Sequence, residues 1–237
     1  MNYSEVYNLA MPKSKREAEK HNYWVVFVIR PLSVLLTIPL VNTKIKPITI
    51  TAISVFASLI SAIFLGFGQS VLHRLCGLFF IFIWAVLDGI DGNLARCQGT
   101  CSKLGELWDA FGGYLALVLV FLSVGVASYY ESNSIFIFDN YWYLLIGGIT
   151  SVVSIFPRLI YQKKKAICPE FDIRHQKGTA PQSGLMRIIQ SNIAISGGMQ
   201  LLLLVAILFH VLNLFLLFYL ILYSGLMLLS LRKLLMV

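Results

Sequence analysis

From Ile188 to Leu231 the chain runs for 44 residues without an Asp, Glu, Lys or Arg. One helix of that length would be about 66 Å long, twice the thickness of a bilayer core. The run therefore has to fold back on itself, and His210 to Asn213 is where it is expected to turn. The rest of the chain fits the same solvent. Of its 237 residues, 58% are hydrophobic and 13% charged, against about 25% charged in an ordinary soluble domain. With a mean hydropathy of +0.78, this balance excludes a soluble globular enzyme, because too few polar side chains exist to cover a water-facing surface.

The apolar stretches predict an all-α polytopic membrane protein with six transmembrane helices, at about 47–67, 71–96, 104–129, 140–162, 186–209 and 212–232. Tyr23 to Val41 is long enough to span but carries Arg30, Pro31 and Pro39, and it reads as an interfacial helix with Tyr23 and Trp24 at headgroup level. This divides the chain into an N-terminal cytoplasmic segment with its interfacial helix, 1–46, and a six-span domain, 47–237. With six spans, 18 of the 19 Lys and Arg residues fall on one side and only Arg74 on the other. The positive-inside bias then puts both termini in the cytoplasm, and it accounts for the net charge of +8 without nucleic acid. The first twenty residues hold no apolar run of signal-peptide kind, so no cleavage is expected. Cys76, Cys97, Cys101 and Cys168 form no CxxC pair and read as structural thiols. The largest polar insert is the basic loop Gln162 to Arg187, and Gly147-Gly148 and Gly197-Gly198 read as helix-packing positions.

Against this background the segment Leu87 to Arg96, with sequence LDGIDGNLAR, stands out. A carboxylate within a span costs several kcal/mol on insertion scales, so a pair of them is a functional signal. Asp88 and Asp91 are three residues apart on one helix face, and Asp109 sits near the start of the following span. Three hard oxygen donors at the cytoplasmic ends of antiparallel helices suit Mg²⁺ or Mn²⁺. Gly89, Gly92 and Gly105 leave room for close approach, and Arg96 is placed to pair with a carboxylate or grip a phosphate. The plain alternative is a salt-bridge patch in which Asp88 and Asp91 pair with Arg96 and Lys103. Arg158 and Arg187, flanking the basic loop, are weaker candidates for an acceptor phosphate or an anionic headgroup.

These residues resemble the signature of the CDP-alcohol phosphotransferases (CDP-alcohol phosphatidyltransferases), D-x2-D-G-x2-A-R-x8-G-x3-D-x3-D. Asp88, Asp91, Gly92, Ala95, Arg96, Gly105 and Asp109 match it at the required spacing, and the order of interfacial helix and six spans is similar too. The resemblance implies a membrane transferase of phospholipid or related glycophosphate synthesis. Such an enzyme moves a phosphoalcohol or phosphatidyl group from a CDP-linked donor to an alcohol, phosphoalcohol or lipid acceptor and releases CMP. It further implies Asp88, Asp91 and Asp109 as metal ligands, Asp88, Gly92, Ala95, Arg96 and Gly105 around the nucleotide, and a homodimer. The sequence departs from the signature at its last aspartate, where Gly113 stands. In the family that carboxylate would help hold a second metal ion and serve as general base, so the catalytic base here is unassigned. Glu106 lies about 10 Å away along the helix axis, and Tyr114 is the adjacent side chain. Two rival readings follow: a degenerate member that binds nucleotide or lipid without turnover, and an intramembrane prenyltransferase, which normally needs a second Asp-rich motif.

Overall fold

Small side chains at helical spacing decide how the bundle closes. In α4 (Pro47–Phe67) the buried face is Ile50, Thr51, Ser54, Ala57, Ser58, Ser61, Leu65 and Gly66, while Phe56, Ile63 and Phe67 point outward. A stripe of Thr, Ser and Ala lets backbones come close and gives hydroxyls for cross-helix bonds. Ser61, for example, donates to the Gly77 carbonyl of α5 (Val71–Cys97) at 2.7 Å. α6 (Lys103–Tyr130) and α7 (Asn140–Ile167) cross where two glycines meet: a Cβ on Gly125 would lie 3.0 Å from the Gly147 Cα. Gly147 thus performs the packing role expected of it, whereas Gly148 has nothing within 4 Å.

The computed structural model describes residues 2–131, 138–167 and 192–235. Ahead of α4 lie three further elements: α1 (Tyr3–Ala10), α2 (Lys13–Glu19), and a π-helical turn Val25–Ile29 that continues into α3 (Arg30–Val41). α8 (Met199–Leu208) and α9 (Leu212–Leu235) complete the described chain. The fold is all-helical, and α4, α5, α6, the Asn140–Lys163 part of α7 and the Leu212–Arg232 part of α9 are each long and apolar enough to cross a bilayer. Their ends match the expected spans to within a few residues, except that α7 runs on to Ile167 where a loop was expected from Gln162.

The fifth expected span, 186–209, is not one continuous helix over its described residues. Its described helix is only the ten residues Met199–Leu208, preceded by a turn through 194–198. At about 1.5 Å per residue that is about 15 Å, half a bilayer core. Gly198 sits in the turn, where a Cβ would meet the Asn192 carbonyl oxygen at 2.7 Å, and Gln200 Nε2 closes the turn on the Ile195 carbonyl at 3.2 Å. Gly197-Gly198 therefore marks a break rather than a packing seam. The fold-back after α8 comes where it was expected, with His210 at φ 55°.

Trp24 and Tyr23 face different ways. The Trp24 indole Nε1 donates to Gln200 of α8 at 3.2 Å and its ring packs edge-on to Phe82, so it faces the bundle, while Tyr23 is the exposed member of the pair. At the end of the bundle remote from the aspartates, Arg74 is buried and paired with buried Glu131 at 2.5 Å. His210 Nδ1 joins Glu131 at 3.1 Å, tying the start of α5, the end of α6 and the α8–α9 turn together. Cys76, Cys97 and Cys101 are free thiols, and Cys168 lies outside the described residues.

Candidate active site

Three helix ends meet at the site. α5 contributes Asp88 and Asp91 one turn apart, α6 contributes Asp109 in its second turn, and α4 brings Thr51 from its first turn. Asp91 is buried, 4% exposed, and its Oδ2 accepts a 2.6 Å bond from the Thr51 hydroxyl. Asp88 stands close enough to Asp109 and Asp91 to feel their charges, and Glu106 adds a fourth carboxylate within range of Asp109. Among the described residues neither Asp88 nor Asp109 accepts a hydrogen bond or forms an ion pair. The Asp–Arg96–Lys103 patch weighed above is therefore not formed.

Like charges this close are tolerated only with cations nearby. Four come from four elements: Lys15 of α2, Arg30 of α3, Arg96 of α5 and Arg158 of α7, each within electrostatic range of one or more of the aspartates. Arg30 is held by a two-point pair with Glu19, Nε at 2.7 Å and Nη2 at 2.5 Å, while its Nη1 is buried with no hydrogen-bond partner. Burial and the positive fields of Arg30 and Arg96 push the Lys15 ammonium down to about 8. The N-terminal helices thus cap the aspartates. Val6 and Ala10 of α1 are fully buried in that contact.

Arg96 serves this cap. Its Nε donates to the Ala10 carbonyl at 2.6 Å and its Nη2 to Asn93 at 2.9 Å. Gly92 gives the guanidinium room, since a Cβ there would lie 3.2 Å from Arg96 Nη1. Gly89 lets α3 approach, with Ser33 Cβ 2.9 Å from where its own Cβ would be. Gly105 lies in the first turn of α6, its N–H donated to the capping Ser102 hydroxyl at 3.0 Å. Ala95 lies on the last turn of α5, its carbonyl accepting from Thr100 N at 2.9 Å.

Beside Gly113, where the signature carries its last aspartate, lies the Arg158 guanidinium. A Cβ on this buried glycine would stand 2.7 Å from Arg158 Nη1 and 3.3 Å from Cζ. Arg158 also lies over the Tyr114 ring, 5.1 Å from its centroid, and the Tyr114 hydroxyl donates to Gln162 at 2.6 Å. Tyr114 is thereby committed as a platform for Arg158, which argues against it as a substitute base. Arg187 lies outside the described residues. Lys15, Arg30 and Thr51 were not singled out by the sequence as site residues. Arg30 gave a signal, a charge inside an apolar stretch, that reads equally well as topology; Thr51 gave none.

A family model for CDP-alcohol phosphatidyltransferase matches residues 44–231. The chain belongs to the CDP-alcohol phosphatidyltransferase family. No curated protein matches it. Membership in this family marks the chain as a membrane transferase of phospholipid biosynthesis, drawing on a CDP-alcohol donor and an alcohol acceptor. The family generally uses a divalent metal. The donor chemistry here fits such an ion, with three carboxylates of which two carry no competing hydrogen bond. In the arrangement seen, though, no three acidic, His or Cys side chains among the described residues are gathered closely enough to hold one. Binding would require the side chains to draw inward.

Proposed function

We propose that this protein transfers a phosphatidyl or other phosphoalcohol group from a CDP-linked donor to an alcohol, phosphoalcohol or lipid acceptor and releases CMP. The observation that carries the reading is the meeting of Asp88, Asp91 and Asp109 at the facing ends of α5 and α6, ringed by Lys15, Arg30, Arg96 and Arg158. The acceptor hydroxyl oxygen forms a new bond to the phosphorus that carries the alcohol, and its proton passes to the departing phosphate of CMP or to solvent. The bond from that phosphorus to the bridging oxygen breaks, and its electron pair leaves with CMP. Asp88, Asp91 and Asp109 are the residues that would hold Mg²⁺ or Mn²⁺, which when bound neutralises the diphosphate and makes CMP a better leaving group. Thr51 fixes one oxygen of Asp91 and so orients the carboxylate. The cations shield the site's negative charge as an anionic substrate enters.

By the charge distribution, both termini and the site face the cytoplasm. Six crossings with a break in the fifth, a boundary near residue 46 and a homodimer complete this reading. In a background from which the native cysteines have been removed, a cysteine at Ser102 should then label only after the membrane is breached, and one at Gln69 from outside.

One observation favours a second reading, binding without turnover: residue 113 offers no carboxylate to take the attacking hydroxyl's proton, and a guanidinium fills the space. Purified protein in liposomes, supplied with a panel of CDP-alcohols, acceptors and Mg²⁺ or Mn²⁺, separates the two. CMP release that depends on the acceptor supports transfer. Saturable CDP-alcohol binding with no CMP from any pair would leave the binding-only reading.

A further inference from the structure

Gly113 and Arg158 form a matched pair. The guanidinium rests against the buried face of Gly113 with Nη1, Cζ and Nη2 at 2.7, 3.3 and 3.3 Å from the position of a Cβ, so the absence of a side chain at 113 is what admits it. Tyr114, the next residue, offers its ring to the same guanidinium. Gln162, one turn after Arg158 on α7, fixes the Tyr114 hydroxyl. Arg158 is thus bracketed by α6 on one side and its own helix on the other, and its charge is felt at both Asp88 and Asp109.

We propose that Arg158 is a resident cation of this site, standing in for a second divalent ion, so that the protein binds one divalent ion per chain. The inference rests on the transferase-site reading above only in taking Asp88, Asp91 and Asp109 as the ligands. The carboxylates already face four cations, Lys15, Arg30, Arg96 and Arg158. A second divalent ion would bring two further positive charges next to a guanidinium that does not lose its proton. Gly113 withholds the carboxylate that the signature places at this position. Arg158 is a positioning residue here: it sets how many ions enter and how tightly, without touching the reacting phosphorus.

Counting bound Mn²⁺ by the loss of the free-ion electron paramagnetic resonance signal tests this on the detergent-purified full chain. Wild type should bind one ion. Arg158→Gln should still bind one, at least about tenfold more tightly, because a like charge has been removed from its surroundings. Gly113→Asp alone should also bind one, since Arg158 can swing aside and pair with the new carboxylate. Only Gly113→Asp combined with Arg158→Gln should bind two. Two ions, or none, in wild type would overturn the proposal, as would an Arg158→Gln variant with unchanged affinity. The outcome is independent of turnover: one ion without CMP release supports the proposal and counts against transfer, whereas two ions with CMP release does the reverse.

Discussion

The hydroxyl of Thr51 is the most specific support of the site, and Thr51→Val removes it at nearly constant volume. In wild type the hydroxyl has one proton and two acceptors in reach, Asp91 Oδ2 at 2.6 Å and the Pro47 carbonyl at 3.2 Å. The shorter bond to a carboxylate takes it. A hydrogen bond to a charged group is worth about 1.5–3 kcal/mol, and loss of a partner that orients a metal ligand typically lowers metal affinity by about 10- to 100-fold. Thr51→Val should therefore weaken Mn²⁺ binding by about that factor, measured by titration of the detergent-solubilised protein. Because Thr51 is buried and the valine leaves Asp91 short of a partner, thermal stability should fall modestly in metal-free protein. Mn²⁺ affinity that is unchanged or tighter would refute the reasoning, because the hydroxyl would then be competing with the ion for Asp91 rather than aiming it.

Gly147→Ala should cost about 1–3 kcal/mol of stability by overpacking, since its Cβ would meet Gly125 Cα and the Phe121 carbonyl at 2.9 Å; Gly148→Ala, with open space around it, should be nearly neutral in the same thermal melt. Arg74→Met takes away the buried guanidinium of Glu131, leaving His210 against a buried carboxylate, and should destabilise by about 3–5 kcal/mol, with Arg74→Met/Glu131→Gln recovering part of the loss in denaturant or thermal unfolding. Lys15 should react with an acylating reagent with a half-point near pH 8 in metal-free protein, by mass spectrometry of the modified peptides. The sign for stability follows from its depressed value in the fold. The unfolded chain holds the extra proton between about pH 8 and the ordinary lysine value, so docking of α2 should strengthen as pH rises through that window and gain nothing below it.

Five of the six spans and the turn at His210 were readable because long apolar runs with polar interruptions admit few solutions in lipid. The break within 186–209 was not, because the same apolar composition serves a spanning helix and a broken one. At the break a Cβ on residue 198 would run into the Asn192 carbonyl, six residues away along the chain, a constraint that hydropathy does not register. In the site, Asp88, Asp91 and Asp109 announced themselves by the cost of charge in an apolar segment. The bond from Trp24 to Gln200 was not legible, because an aromatic facing lipid and one facing a buried glutamine look alike in sequence. Arg158 was visible as a helix-end cation, but its place against Gly113 depends on how α7 is rotated against α6, which only the packed structure gives.

The cations around the aspartates are also separated in time. A chain made from its N-terminus produces Lys15 and Arg30 before Asp88, whereas Arg158 follows Asp109 by 49 residues. At about 5–20 residues per second, that gap lasts about 2 to 10 s. During the interval the acidic ends of α5 and α6 have only α2, α3 and Arg96 to offset their charge. By order of synthesis, the residues of the N-terminal cap are therefore at hand to cover the carboxylates before Arg158 is made. A fusion partner or tag placed directly on Met1, which would hold α1 and α2 away, should lower the yield of inserted protein even if it leaves the finished molecule intact.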